Sequence, residues 1–595
     1  MMNQMQPATD KELYFSSLSS LSRIKFSKIV SRIVITVIMI CFFVMPIIKL
    51  VLLSFTSPQG LTLAHYQTVF NESKTWITLR NTLFLVCGAT LIAIALGAAF
   101  AWLQAYTDLQ LKKTFHFFTI LPLIIPSYIF TLAWAQLFSS RGPVAGLLSL
   151  LPGAPKPFDL YSFSGILLVM GLAHYPLAYL LTLEVLRKIP RNLELAGAAC
   201  GAGRFRVFAK IIMPLALPGI GGGGLLAFLA GLDNFGIPAF LGIPAHIPVL
   251  STLIYSEIAG FGPAAFSLAA VLSVILGMIA LTGSLCLWLF YRKCKTIEIG
   301  APEPEPRFRL GRWGTPLTLA LLLFFAVTGI LPLLAMFQTS FIKAYGLDFQ
   351  WSNLTLENYH YIIFESLKTI GALKNSFLLA LAVTAVCLVA GTALAYFRIR
   401  RAPSLGAWWE TAAGLPYALP GMVFALAMIF TWMEPWPGWN PGIYGTLKML
   451  FLAYGIRFII LQIRSSSAAL AQIDPVLEEA AAGSGAGAPV RWRAVILPLL
   501  LPGLCGGAFL VFAHSLTELT VSSLLAASGS ETVGMVIFNF EQAGDTIYAT
   551  AFSGVVLIMI ALAALLFQAI LKLSKRRLMR HGGEGYRSEQ KIWKL

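Results

Sequence analysis

The sequence predicts an all-α polytopic membrane protein of about 12 transmembrane helices, built as two parallel six-helix repeats. Three observations carry this. Of 595 residues, 57% are hydrophobic and only 12% charged, with a mean hydropathy of +0.78; a soluble domain carries roughly 25% charged residues. Apolar runs long enough to cross a bilayer core, which takes about 20 residues, recur along the chain. The two halves also repeat one another.

Taken in order, residues 1–32 form a polar, mildly basic tail with Lys11, Arg23, Lys25 and Lys28. The run 33–55 exceeds a signal-peptide core and is followed by no small-residue cleavage pattern, so a retained helix is expected. Further spans are predicted near 81–106, 114–138, 163–186, 217–242 and 264–291, completing a first repeat at 33–291. Residues 292–312, RKCKTIEIGAPEPEPRFRLGR, read as a cytoplasmic linker whose alternating Pro and Glu favour an extended, solvated spacer. The second repeat, 313–575, has spans near 315–341, 375–397, 406–432, 445–464, 500–526 and 548–573, and a basic tail occupies 576–595.

The net charge is +17. Its distribution argues against nucleic acid as the partner. Lys112 and Lys113, the 187–210 and 464–493 loops, the linker, Arg398, Arg400, Arg401, Lys575, Arg576 and Arg577 all fall on one side. By the positive-inside bias that side is the cytoplasm, and both termini lie there. The seven cysteines include no CxxC pair, so neither a disulfide framework nor a metal cage is expected.

Repetition extends beyond span count. LTLAHYQTVF at Leu61 matches LTLENYHYII at Leu354, Asn81-Thr82 matches Asn375-Ser376, and the LPLIIP run at Leu121 matches LPYALP at Leu415. Equivalent points lie six helices apart, so the halves share one orientation. Between the fourth and fifth spans of each half lies a polar interval of about 30 residues: IPRNLELAGAACGAGRFRVFAKIIMPLALPG from Ile189 and IDPVLEEAAAGSGAGAPVRWRAVILPLLLPG from Ile473. In both, a glycine (Gly201, Gly485) stands thirteen residues before a proline (Pro214, Pro498). Asp474 is a good helix cap and Pro475 suits a first helical position. A short helix over Val476–Ala482 is expected, then a glycine stop, then a second short helix over Pro489–Ile496, with Pro498 and Pro502 marking re-entry. A bare connection would need only a few residues, so a docking hairpin is the better reading.

Glu479-Ala480-Ala481, Gly485 and Ile496-Leu497-Pro498 resemble the EAA motif of bacterial ATP-binding-cassette importer permeases. That resemblance implies that the hairpins are coupling helices seated on ATPase subunits, with Glu194, Gly201, Glu478, Glu479, Ala480, Ala481 and Gly485 in the coupling role. The first copy departs from the motif, having Leu195-Ala196-Gly197 where Glu-Ala-Ala is expected, and unequal grip on the two ATPases follows. The fused arrangement, with LPLIIPSYIFTLAW at Leu121 and LDNFGIPAFLG at Leu232, is similar to iron(III) permeases of the FbpB type. Related branches carry 2-aminoethylphosphonate, other phosphorylated solutes, thiamine or polyamines. The implied partners are two copies of an ATPase subunit, a periplasmic solute-binding protein and membrane lipid, in the bacterial inner membrane. The chain has no G-x-x-x-x-G-K-[ST] loop, so ATP and Mg are expected on the partner subunits and no cofactor on this one.

Ionisable groups at depth are costly and invite a functional reading. Asp233-Asn234 and Thr517-Glu518 occupy matching places near the outer end of the fifth and eleventh spans, with His514 one turn inward. They are candidates either for the translocation path or for caps of a broken helix. Arg457 and His174 read as structural, holding carbonyls or a partner such as Glu184. Gly221–Gly224 and Gly506-Gly507 suggest close packing of the fifth and eleventh spans. Pro122, Pro126, Pro416 and Pro420 suggest curvature in the third and ninth. An ion-coupled secondary transporter would account for the duplication but not for two matched hairpins. No H-E-x-x-H or G-x-S-x-G supports an enzyme.

Overall fold

The computed structural model describes residues 29–57, 60–153, 156–260, 265–293, 306–433, 435 and 442–581. Most of the N-terminal tail, the Pro/Glu stretch of the linker up to residue 305 and the C-terminal tail from residue 582 lie outside the described residues. Most of the rest is helical, joined by turns and irregular segments, with one two-residue antiparallel strand pair, Thr56–Ser57 with Gly60–Leu61, among the described residues. Among the described residues nine helices are long and apolar enough to cross a membrane, and eleven elements if each of two bent pairs counts as one span. The remaining predicted span, near 445–464, is a 25-residue helix, Leu447–Ala471, that carries Lys448, Arg457 and Arg464.

The bent pairs correct the expectation of gentle curvature. Lys112–Ile124 and Ser127–Leu137 meet at 104°, and Pro403–Ala418 and Gly421–Trp432 at 107°. The cause is local. Pro126 and Pro420 offer no N–H and force the residue before them out of the helical region, so Ile125 and Leu419 are extended, with ψ of 127° and 145°. The chain restarts as a new helix in another direction.

Each repeat ties its own second, fourth and fifth spans together through small residues. A Cβ at Gly223 would lie 2.5 Å from Ala178 Cα in the fourth span, and one at Gly507 would lie 2.5 Å from Gln462 Oε1 in the tenth. The glycines of the fifth and eleventh spans therefore pack within their own repeats, not against each other as expected. Matching hydrogen bonds explain the paired Asn-Thr/Ser motifs. Asn81 Nδ2 donates to Pro248 O (3.1 Å) and Thr82 Oγ1 accepts from Leu250 N (2.9 Å). Asn375 Nδ2 donates to Glu531 O (3.1 Å) and Ser376 Oγ accepts from Val533 N (2.9 Å).

The halves exchange their first helices. Span one, Ile29–Ser54, packs on the second repeat, where Phe42 meets Trp432 at 5.2 Å and Trp409 Nε1 donates to Thr36 Oγ1 at 3.1 Å. Span seven, Gly311–Ser340, packs on the first, where Phe325 meets Phe115 at 5.4 Å and Thr339 Oγ1 donates to Gln136 Oε1 at 3.2 Å. Phe538 closes the seam against Phe235 (5.7 Å) and Phe240 (5.8 Å).

Candidate functional site

The two polar intervals fold alike. Arg191–Ala199 and Pro475–Gly483 are short helices that end in the same way. Gly201 N bonds Ala198 O and Ala202 N bonds Gly197 O; Gly485 N bonds Ala482 O and Ala486 N bonds Ala481 O. Such paired closures need a left-handed residue just past the helix, and Gly201 (φ 79°) and Gly485 (φ 81°) supply it. The repeated glycine is thus a backbone requirement. Asp474 caps the second helix, its Oδ1 accepting from Val476 N at 2.9 Å, while Pro190 at the matching place has no side-chain cap. The second arm differs from expectation: it is no separate short helix. Arg204–Asp233 and Ala488–Leu516 run on from the hairpins as helices of 30 and 29 residues. A five-residue π turn, Phe208–Ile212 or Trp492–Ile496, precedes Pro214 or Pro498, and the helix passes through both prolines of each copy.

Each hairpin is held to the bundle by an arginine. In the second repeat Arg400, at the end of the eighth span, donates from Nε to Glu478 Oε1 (3.0 Å) and from a terminal nitrogen to Ile473 O (2.5 Å). Tyr396 Oη donates to Glu478 Oε2 (3.2 Å), and its ring meets Trp492 in a tilted contact with centroids 4.8 Å apart. In the first repeat the counterpart acceptors, Glu194 and the Ile189 carbonyl, are taken by Arg307. Arg307 also donates to Tyr106 Oη (2.9 Å) and lies 4.5 Å from its ring. Arg307 belongs to the stretch predicted to be a solvated spacer, yet its side chain is only 5% exposed. The described end of that stretch is docked, not free.

Glu194 and Glu478 therefore face inward, as ion-pair partners. Glu479, Ala480, Leu193, Leu195, Val476, Leu477 and Phe205 are exposed, and no side-chain bond to Glu479 forms among the described residues. Ala481 is half-buried. The outer faces are accordingly apolar, with Glu479 as the added charge on the second.

At the other end of the long helices lie the candidates at depth. Asp233 ends its helix and forms a two-pronged ion pair across the repeats with Arg457 (2.9 and 2.8 Å). Asp233 also accepts from the Gly421 N–H at the start of the restarted ninth-span helix. Arg457, 2% exposed, donates further to Pro416 O and Leu419 O (both 3.2 Å), the carbonyls at the proline bend. Asn234 and Glu518 act as equivalents. Asn234 Oδ1 accepts from Ile237 N (2.9 Å) and Glu518 Oε1 from Val521 N (2.7 Å), so each caps the helical piece beyond a break. Thr517 Oγ1 donates to Ala513 O (2.8 Å), and His514 Nδ1 lies 2.9 Å from Leu510 O. His174 lies 3.5 Å from Asn234; Glu184, suggested as its partner, instead pairs with Lys188 at 2.5 Å. The sequence carried a signal for the ion pair: a lone arginine in a span demands a carboxylate. Its partner stands 224 residues away, which no local pattern shows.

The chain matches the family model described as "Binding-protein-dependent transport system inner membrane component" twice, at residues 93–287 and 387–580. It is 25% identical over 564 residues to a ferric transport system permease protein, FbpB, of Actinobacillus pleuropneumoniae, covering 93% of this chain and 79% of that one. It is 25% identical over 481 residues to an Fe(3+)-transport system permease protein, FbpB 2, of Haemophilus influenzae, covering 80% and 85%. A 2-aminoethylphosphonate transport system permease protein described as putative, PhnU of Salmonella typhimurium, is 29% identical over 189 residues, 31% of this chain and 66% of its own. Among solved structures, a bacterial ABC transporter involved in alginate import aligns at 19% identity over 47% of this chain and 100% of its own, with a TM-score of 0.39. The chain belongs to the family of binding-protein-dependent transport system inner membrane components, as a fused two-repeat, FbpB-like permease of an ABC importer.

Proposed function

We propose that this chain is the membrane path by which iron(III), delivered by a periplasmic binding protein, reaches the cytoplasm. Two separate ATPase subunits, which hold the ATP and Mg, drive it from beneath the hairpins. The linker, both hairpins and both termini face the cytoplasm of the bacterium, with repeats at 33–291 and 313–575 in its inner membrane. The observation that carries this reading is mechanical. A single helix leads from each hairpin's second arm to the polar pair at its far end, Arg204–Asp233 with Asn234 just beyond in one half and Ala488–Leu516 with Thr517-Glu518 just beyond in the other. Thirty residues at 1.5 Å span about 45 Å, the whole depth of the bilayer.

When the ATPases close, they draw the hairpins together and tilt these two helices. The tilt carries Asp233 away from Arg457, whose guanidinium is fixed to the other repeat, so the outer gate opens as that pair parts. Hydrolysis releases the hairpins and the pair re-forms. The ion pair also neutralises Asp233 in the closed path, keeping it from trapping a trivalent cation; parting frees its charge only while cargo passes. Iron(III) is favoured because the ferric permeases match most of the chain, whereas the phosphonate permease matches about a third.

The test is reconstitution with the ATPase subunits and the binding protein in lipid nanodiscs. Iron(III)-loaded binding protein is expected to stimulate ATP hydrolysis severalfold over the empty form. Stimulation by 2-aminoethylphosphonate and not by iron(III) would replace the cargo while leaving the machine in place.

A further inference from the structure

We infer that Arg307 is a positioning residue for the first coupling hairpin, replacing an arginine that the first repeat's own second span lacks. Its functional meaning rests on the coupling role proposed above; its geometry does not.

The two clasps match acceptor for acceptor. Arg400 binds Glu478 and the Ile473 carbonyl; Arg307 binds Glu194 and the Ile189 carbonyl. Glu478 and Ile473 stand in the second hairpin where Glu194 and Ile189 stand in the first. The donors do not match in the chain. Counting from the paired asparagines Asn81 and Asn375, the place of Arg400 is occupied by Tyr106 and that of Tyr396 by Trp102. The aromatic contact is retained: Trp102 meets Phe208 at 6.4 Å as Tyr396 meets Trp492 at 4.8 Å. The hydroxyl that Tyr396 sets on Glu478 has no counterpart on Trp102, and the second span also lacks the guanidinium. Arg307 brings it in from outside and rests it on the ring of Tyr106.

The strand of chain that delivers Arg307 is itself fixed. Arg307 N and Phe308 N both donate to Tyr106 O (2.9 and 2.8 Å), and Asp108 N donates to Phe308 O (3.1 Å). Leu310 N donates to Asp108 Oδ1 (2.7 Å), and Phe308 packs 5.7 Å from Trp102. This segment leads directly into the seventh span, which packs on the first repeat. The second half of the chain thereby holds the coupling helix of the first. Movement of that hairpin is tied to the seventh span, whereas the second hairpin is tied to its own eighth. A two-acceptor grip by one side chain needs the forked guanidinium; an ammonium offers one point charge.

The experiment uses the full chain assembled with its ATPase subunits and binding protein in nanodiscs, with two readouts. In Arg307→Ala, amide hydrogen exchange across residues 191–203 should quicken by roughly tenfold or more, because Glu194 is left unpaired, while residues 475–487 keep their protection. Substrate-stimulated ATP hydrolysis should fall in parallel. Tyr106→Arg in the Arg307→Ala background puts the guanidinium where the second repeat keeps it and should restore both readouts; Arg307→Lys should restore neither fully. Unchanged exchange at 191–203 in Arg307→Ala would overturn the inference, as would loosening that Tyr106→Arg does not reverse. Loosening and rescue of exchange with no change in stimulated hydrolysis would leave the clasp intact and overturn the coupling role given to the first hairpin.

Discussion

The first and second hairpins share a frame and differ in face. Both end their short helix with a left-handed glycine and paired closing bonds, both seat a glutamate on an arginine, and both feed a π turn into a long helix. What differs is exposed or borrowed: Leu195 for Glu479, Pro190 for Asp474, and an arginine from the linker where the other repeat uses its own. The difference teaches which residues the duplication could not release. Those that close the backbone or pair a half-buried charge recur in kind, since losing them costs free energy within the chain itself. Those on the outer face answer only to whatever they touch.

The sharpest way to break the comparison is a charge on that face. Glu479→Lys reverses the exposed charge that stands where the first hairpin has Leu195 and sets a repulsive contact against any partner surface evolved for a carboxylate. About 2–3 kcal/mol of docking free energy should be lost, roughly 30- to 150-fold in affinity for the ATPase subunit. Leu195→Lys exchanges an apolar contact for a charge and should cost several times less. Titration of ATPase subunits onto the two variants decides this; equal losses would mean that the hairpins grip equally and that the departure from the motif has no functional weight.

A second comparison concerns the clasps. Arg400→Ala strands Glu478, whose side chain is 15% exposed. Removing one member of a largely buried pair costs about 3 kcal/mol or more, less where water reaches the survivor. Protection of 475–487 against hydrogen exchange should collapse with 191–203 unaffected, the mirror image of the result expected for Arg307→Ala. Loosening of both hairpins by Arg400→Ala would show that the clasps are not independent.

Much of this was legible in the sequence, and the exceptions share a cause. Most span positions, the parallel duplication, the first arm of each hairpin and the Asp474 cap follow from local pattern, because hydropathy, repetition and capping act over a few residues. The spans expected at 217–242 and 500–526 instead run over Arg204–Asp233 and Ala488–Leu516, because the helix continues from the hairpin and breaks beyond its polar end. The bends at Pro126 and Pro420 were visible as prolines, but a proline alone permits curvature or a break; the change of more than 100° depends on what the restarted helix packs against. Arg307 was hidden by its neighbours, since PEPEP reads as solvated and a single buried residue does not alter that composition. The Asp233–Arg457 pair joins the repeats, and its two members have no counterpart pair at the matching positions, where Thr517 and Ala173 stand. Pairing across the repeats leaves no mark in either half alone.

The smallest expected effect tests how far the shared frame depends on its start. Asp474 Oδ1 satisfies the Val476 N–H, one of the donors that a helix leaves unpaired at its N-terminus. Pro190 cannot do this, and the first hairpin manages without. Asp474→Ala should therefore cost the second helix about 1 kcal/mol, seen as a roughly fivefold rise in exchange over 476–483, with the ATPase affinity almost unchanged. Were the affinity to fall as far as in Glu479→Lys, Asp474 would have to act on the partner through its charge, and the second hairpin would differ from the first at its tip as well as on its face. Asp474→Ser separates the two: a serine hydroxyl keeps the cap and removes the charge, so restored protection with lost affinity would assign Asp474 to the contact, and restoration of both would confine it to the helix.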